Sequence, residues 1–314
     1  MVMISFKERK GGTVMNVLFG LFLLIAPNLE KYFSHDLPKE KKALVIGIDG
    51  LRPDSMIYAK TPNIDFLIEH GSVSFNAYAG GEIGTKTEQV TSSGPGWSSI
   101  LTAVWTDKHG VTDNSFKNNN YKEYPHFFKR IKEFNPNLQL VSFVQWTPIH
   151  THILSDADEF GNGSDEYVSE MGAKSIKAGK SDVVFLHFDD VDHAGHAYNY
   201  GNDYPKYIDS IEKTDRLIGL VLDEIRKKEK EDWLIVVTTD HGGINYGHGG
   251  QSIDERTIFF ISSGAGMPVK TFEKGPGMTA VAPTVFRHLN ITIKPEWGWD
   301  SKPFPSLKKG ENNE

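Results

Sequence analysis

Three stretches place acids and histidines where an apolar run stops. Leu234-Ile235-Val236-Val237-Thr238-Thr239 runs into Asp240-His241-Gly242-Gly243, and His248 follows within Gly247-His248-Gly249-Gly250. Asp182-Val183-Val184-Phe185-Leu186-His187-Phe188-Asp189 runs into Asp190-Val191-Asp192-His193-Ala194-Gly195-His196, with three acids and two histidines within positions 189 to 196. Lys41-Lys42-Ala43-Leu44-Val45-Ile46-Gly47-Ile48 ends in Asp49-Gly50. Each stretch alone reads as a strand followed by a turn or a polar loop. Together they offer carboxylate oxygens and imidazole nitrogens, the donor set of zinc or a similar first-row divalent ion rather than calcium. Asp192 and His196 are four residues apart, so one helical turn lets them chelate together. Asp240 and His241 are adjacent and need a bend to face one ion, which the following glycines permit.

A fourth stretch supplies hydroxyls: Thr91-Ser92-Ser93-Gly94-Pro95-Gly96-Trp97-Ser98-Ser99-Ile100-Leu101-Thr102. Pro95 fits the first turn of a helix that starts here. A hydroxyl at that position faces unpaired N–H groups and the positive end of the helix dipole, a setting for a phosphate oxygen or an alkoxide. The plainer role for Ser93 is a helix cap.

These groups need elements that bring them together. Continuous apolar runs ending in Asp or Gly read as buried parallel strands, and open α/β sheets bind ligands at the carboxyl ends of such strands. Leu138 to Phe143 and Thr257 to Ser262 read as further strands. Helical spacing runs from Pro62, from Tyr121 to Phe134, from Tyr167 to Ala178, from Ile208 to Ile225 and from Ala282. The expected fold is α/β, a mostly parallel central sheet with helices on both faces. His150 and His152, in the loop after the Leu138 strand, are further candidates for lining a pocket.

The 314 residues carry 34 basic and 41 acidic side chains, a net charge of −7, and no cysteine. A broad nucleic-acid face is not expected from this balance. Disulfides, thiolate ligands and a cysteine nucleophile are excluded. Lys7, Glu8, Arg9 and Lys10 precede a ten-residue apolar run from Val17 to Ala26. That order predicts an export signal, or an uncleaved anchor touching a membrane, over residues 1–40. It leads to a catalytic domain over 41–300 and a loose polar tail over 301–314.

The candidate ligands Asp49, Asp192, His196, Asp240, His241 and His248 are too many for one tetrahedral ion and divide into two sets of three. Two divalent ions about 4 Å apart can clamp an in-line displacement at phosphorus. At this point the chain resembles the alkaline phosphatase superfamily, nearest its nucleotide pyrophosphatase/phosphodiesterase branch. The resemblance covers about residues 43 to 300. It rests on Gly47-Ile48-Asp49-Gly50, Ser93-Gly94-Pro95, His109-Gly110, Asp192-His193-Ala194-Gly195-His196, Asp240-His241-Gly242, Gly247-His248-Gly249 and Ala282-Pro283-Thr284-Val285. It implies an alkaline phosphatase-like fold, two zinc ions and a covalent phosphoserine intermediate. One ion would be held by Asp192, His196 and His248, and the other by Asp49, Asp240, His241 and the nucleophile. The family register places that nucleophile at Ser93 and a phosphate-holding asparagine at Asn114. The substrate so implied is a small phosphodiester or nucleotide pyrophosphate.

Ser-Gly-Pro-Gly-Trp stands where the branch often reads Thr-Phe-Pro-Asn-His, which leaves Trp97 either an aromatic wall for a leaving group or a core residue. A phosphomonoesterase or phosphonate hydrolase is the near alternative. A dianionic phosphate, however, calls for added positive groups, and Arg52 is the nearest. A sulfatase would carry an arginine in its modification motif where Trp97 stands. A catalytically dead binding protein would have no need of the full ligand set.

Overall fold

The computed structural model describes residues 39–307, Ala265 excepted, so the predicted signal or anchor lies outside the described residues. Among the described residues no helix is long and apolar enough to cross a membrane.

The sheet has eight strands: β1 (Glu40–Ile48), β2 (Gly71–Tyr78), β3 (Leu140–Val144), β4 (Glu159–Asn162), β5 (Val183–Phe188), β6 (Glu231–Thr238), β7 (Thr257–Gly264) and β8 (Lys270–Thr271). Their order across the sheet is β4-β3-β5-β1-β6-β7-β2-β8. The block β4-β3-β5-β1-β6 is parallel throughout, while β7 runs antiparallel to both β6 and β2. Register decides what the site can be. Gly47 on β1 pairs with His187 on β5 and Thr238 on β6. Two residues further on, Asp49, Asp189 and Asp240 therefore leave three neighbouring strands at one level.

Side chains alternate along β1 between two apolar layers, because successive residues of a strand point to opposite faces. Ala43 and Val45 join Trp97, Ile100, Phe127, Phe128 and Phe286 on one face. Leu44, Ile46 and Ile48 join Ile64, Ile176, Ile211 and Ile218 on the other. The first layer is covered by α3 (Ser93–Thr102), α5 (Phe127–Phe134) and α10 (Val281–His288), with the single turn α4 (Thr106–His109) following α3. The second is covered by α1 (Pro53–Tyr58), α2 (Pro62–Glu69), α6 (Asp165–Ala178), α7 (Asp190–Tyr198) and α8 (Pro205–Arg226). Helices thus lie on both faces, and a short α9 (Ile253–Arg256) precedes β7.

Several local expectations change. The helix read from Tyr121 begins only at Phe127, since residues 121–124 form a turn ahead of the His126 cap. Edge strand β4, which no apolar alternation marks in the sequence, is held by β3 through backbone pairing. The tail from Ser301 is not loose as far as it is described. Phe304 is 6% exposed and packs edge-on against Phe260 and Phe272, and Arg287 Nη2 donates to its carbonyl at 2.9 Å. One aromatic residue among polar ones was enough to dock the segment.

Candidate metal centre

The carboxyl ends of β1, β5 and β6 gather the expected ligands. Asp192, His196 and His248 offer ligand atoms that all lie within 4.8 Å of one another, and so do Asp49, Asp192 and His241. His196 Nε2 lies 3.3 Å from Asp192 Oδ2, as their common turn on α7 dictates, and 3.1 Å from His248 Nε2. His241 Nε2 lies 3.2 Å from Asp240 Oδ2 and 3.4 Å from Asp49 Oδ1. Asp192 thus stands between two clusters instead of belonging to one.

The polar inventory fits cations. Asp49 Oδ1, Asp240 Oδ2 and His241 Nε2 converge, are buried, and have no hydrogen-bond partner among the described residues. Buried polar atoms are nearly always paired, so three orphans facing one point call for a shared positive partner. The histidines agree. His241 Nδ1 donates to the Gly242 carbonyl, His196 Nδ1 to the Tyr246 carbonyl and His248 Nδ1 to the Thr91 carbonyl, each at 2.8 Å. An N–H committed at Nδ1 leaves the Nε2 lone pair for a metal, the arrangement metal-bound histidines adopt.

Charge balance points the same way. Burial, with Asp240 and Asp192 adding to it, holds the Asp49 carboxyl well above its ordinary range, and burial beside Asp192 does the same to Asp240. Burial pulls Asp192 upward too, but the hydrogen bond from His196 and the nearby His241 and His248 hold it below the usual carboxylate range. His196 is raised to about 9, chiefly by its bond to Asp192, so a proton occupies the place that a cation would take. Burial and His241 lower His248.

Ser93 is the first residue of α3, with Ser92 as the cap, and is 6% exposed. Contacts on both sides draw this turn to the clusters. Thr91 Oγ1 donates to the Gly250 carbonyl at 2.8 Å. Gly96 lies so close to β6 that a Cβ there would stand 2.8 Å from the Asp240 Cβ. Trp97 Nε1 donates to Asp49 Oδ2 at 2.8 Å. Asn114 Oδ1 accepts from Gly94 N at 2.7 Å and from Ser92 Oγ at 3.1 Å, which leaves its Nδ2 free to donate at the same turn.

Other expectations resolve differently. Trp97 is fully buried, which makes it a core residue and no wall. His150 is bonded to Ser142 on β3 at 2.7 Å and Asn162 on β4 at 2.6 Å, and His152 stacks on Phe116 at 4.4 Å, so both are engaged elsewhere and neither joins a ligand cluster. Arg52 is spent on Asp54, Asp254 and the Gly243 carbonyl. His109 is buried, bonded to Ser99 Oγ at 3.0 Å, and lowered to about 3 by burial. Two participants were not foreseen. Tyr200 donates its hydroxyl to Asp192 Oδ1. His187, fully buried on β5, reaches Asp49 Oδ2 at 3.2 Å. A histidine inside an apolar run was the one available signal; nothing marked Tyr200. Gly50 (φ 65°) lets β1 turn this close to α7, because a Cβ there would sit 2.5 Å from Asp192 Oδ1.

Known proteins are similar to this chain in sequence or in fold. The rat ectonucleotide pyrophosphatase/phosphodiesterase family member 7 is 24% identical over 255 residues, 72% of this chain and 55% of that protein. The GPI ethanolamine phosphate transferase 3 of Schizosaccharomyces pombe is 35% identical over 95 residues, 30% of this chain and 10% of that protein. The chain therefore spans at most about half the length of these two relatives. Among solved structures, murine ectonucleotide pyrophosphatase/phosphodiesterase 5 superposes with a TM-score of 0.64 at 13% identity, over 82% of this chain and 96% of that one. A 2-O GAG sulfatase superposes at 0.66 and 12% identity, over 82% and 72%. The family description "Metalloenzyme superfamily" matches residues 52–293, which span all the candidate ligands except Asp49. With that match, an alkaline phosphatase-like sheet and orphaned ligand atoms at its strand ends, the chain belongs to the metalloenzyme superfamily.

Proposed function

We propose that the protein is a two-metal phosphoric ester hydrolase acting on phosphodiesters or nucleotide pyrophosphates through a phosphoserine intermediate. The observation that carries this reading is the buried trio Asp49 Oδ1, Asp240 Oδ2 and His241 Nε2, unpartnered beside the turn that bears Ser93. Asp49, Asp240 and His241 would hold one ion together with the Ser93 oxygen, and Asp192, His196 and His248 the other. Zinc suits these oxygen and imidazole donors. When bound, such ions favour the ionised forms of nearby oxygens and neutralise charge on the phosphoryl group.

The remaining work falls to the chain. Ser93 Oγ attacks phosphorus, the bond to the leaving oxygen breaks, and the serine proton ends on the released alcohol or phosphate. Water then cleaves the Ser93–phosphorus bond and restores the hydroxyl. The N-terminus of α3 brings the positive end of its dipole to the phosphoryl oxygens, while its Gly94 N–H is committed to Asn114 and Pro95 has none to give. Asn114 Nδ2 donates to the same developing charge. Arg52, the nearest arginine, is committed elsewhere and not free for a dianionic monoester, which favours diesters over monoesters. Trp97, bonded to Asp49, stands where a sulfatase would place its arginine. Export remains the proposed location and rests on the N-terminal pattern alone.

Hydrolysis of bis-p-nitrophenyl phosphate, p-nitrophenyl phosphate and p-nitrophenyl sulfate by metal-loaded protein tests this. The diester should be cleaved fastest, and Ser93→Ala should lose turnover while keeping its metal. Near-normal turnover in metal-replete Ser93→Ala would remove Ser93 as nucleophile.

A further inference from the structure

The histidines at the strand ends divide by which ring nitrogen is tied down. His196, His241 and His248 each commit Nδ1 to a backbone carbonyl and present Nε2 to a cluster. His187 is wired the other way. Its Nδ1 is buried with no hydrogen-bond partner, and its Nε2 lies 3.2 Å from Asp49 Oδ2. A proton on that Nδ1 would be an orphaned buried donor, which is costly. A bare Nδ1 is cheaper, so the proton belongs on Nε2, where Asp49 accepts it. Asp49, His187 and Asp189 also bring ligand atoms within 4.8 Å of one another, but an Nε2 that carries the proton and donates to Asp49 has no lone pair to offer an ion, so His187 is a donor to Asp49.

Trp97 supplies the second donor. Its Nε1 lies 2.8 Å from the same Asp49 Oδ2, and its ring meets His187 edge-on at 4.7 Å. Gly47 makes room for this. A Cβ there would fall 2.3 Å from Trp97 Cη2, so only a glycine lets the indole lie across β1. Asp49 Oδ2 therefore receives two N–H groups, while Oδ1 receives none.

We infer that Trp97 and His187 are positioning residues that claim Asp49 Oδ2 between them and leave Oδ1 alone to face the buried cation. This deepens, and rests on, the two-metal reading above. Locking one oxygen makes Asp49 a one-oxygen ligand. That suits a small ion of low coordination number and disfavours calcium, which takes six to eight oxygens and often both from one carboxylate.

Metal-stripped protein titrated with zinc, and separately with cobalt(II) read by its visible absorption, tests the inference. Wild type should bind two ions. Trp97→Phe, which keeps the aromatic packing, and His187→Leu should each weaken one of the two by about 10–100-fold, the usual cost of losing an outer hydrogen-bond partner, with the other unchanged. Its cobalt spectrum should shift. His187→Gln, whose amide can still donate, should stay well above His187→Leu in affinity for that ion. Unchanged affinity for both ions in both Trp97→Phe and His187→Leu overturns the inference. Equal loss in His187→Gln and His187→Leu also overturns it, since that would mark a packing role. Should Trp97→Phe fail to fold, the two His187 variants decide alone. Wild type that binds no second ion instead defeats the metal reading beneath it, a separate result.

Discussion

The two ligand clusters share Asp192 and differ in how far water reaches them. Asp49, Asp240 and His241 are all 0% exposed, whereas in the other cluster the His196 side chain is 44% exposed and those of Asp192 and His248 are 10%. In the sealed cluster a missing cation leaves buried carboxylates unbalanced, which is expensive in a low dielectric. In the open cluster a proton on His196, raised to about 9, does part of the cation's work. On the two-metal reading proposed above, an ion at the sealed cluster would be bound up with the fold, and one at the open cluster with turnover and exchange.

The largest effect should come from breaking the sealed cluster. Asp240→Asn removes one of its carboxylates and should cut diester turnover by about 10³-fold or more, since a catalytic metal contributes several kcal/mol to the barrier. The metal-free variant should melt higher than metal-free wild type, because the cost of burying a carboxyl held well above its ordinary range is gone. A lower melting point would show that the two clusters do not differ in this way.

The open cluster should respond otherwise. His196→Ala should bring the bound ions down from two to one, as counted by elemental analysis, with turnover falling about 10²-fold and the melting point nearly unchanged. Loss of both ions would mean that Asp192 couples the clusters into one unit.

A third test separates stability from metal. Phe304→Ala should destabilise the protein by about 3 kcal/mol through the cavity it leaves, with two ions still bound. Denaturant unfolding beside metal analysis reads both quantities.

The smallest effect is in pH. Burial, with Asp190 adding to it, raises Asp165 from 3.8 to about 8, and burial beside Asp49 raises Asp189 to about 7. Between the unfolded and folded values the native state holds a proton that the unfolded chain has lost. Stability is therefore full below pH 3.8 and declines as pH rises towards 8. Buried His109, His126 and His187 are lowered to about 3, 4 and 4 from 6.5, and their contribution has the opposite sign, lost as pH falls below 6.5. Above pH 6.5 the raised carboxyls act together with His196, whose elevation to about 9 has the same sign and is lost over the same interval. Metal-free protein should thus lose about 1–2 kcal/mol between pH 6.5 and 8. Zinc should reduce that loss, because a cation compensates the sealed carboxylates. A melting point that rises over this interval without metal would contradict the assignment.

Much of this was legible in the sequence, for a definite reason. Strands β1, β5 and β6 are continuous apolar runs that stop at Asp49, Asp189 and Asp240, and a parallel sheet puts such ends side by side. The four-residue spacing of Asp192 and His196 fixes their pairing within one helical turn, whatever surrounds it. Local periodicity and residue chemistry were sufficient there because each signal lies within a few residues of chain.

What the sequence left open depends on contacts between residues far apart in the chain. Asp192 stands between the clusters because Gly50 lets β1 turn against α7. Trp97 is neither a wall nor idle core, because Gly47 on another element gives its indole room to reach Asp49. Phe304 docks because Phe260 and Phe272 leave a face for it. The sequence alone determined which atoms could serve as ligands. Tertiary packing decided which oxygen of each carboxylate is tied and which is left to a metal, because hydrogen-bond partners are assigned by proximity in space and no local pattern encodes it.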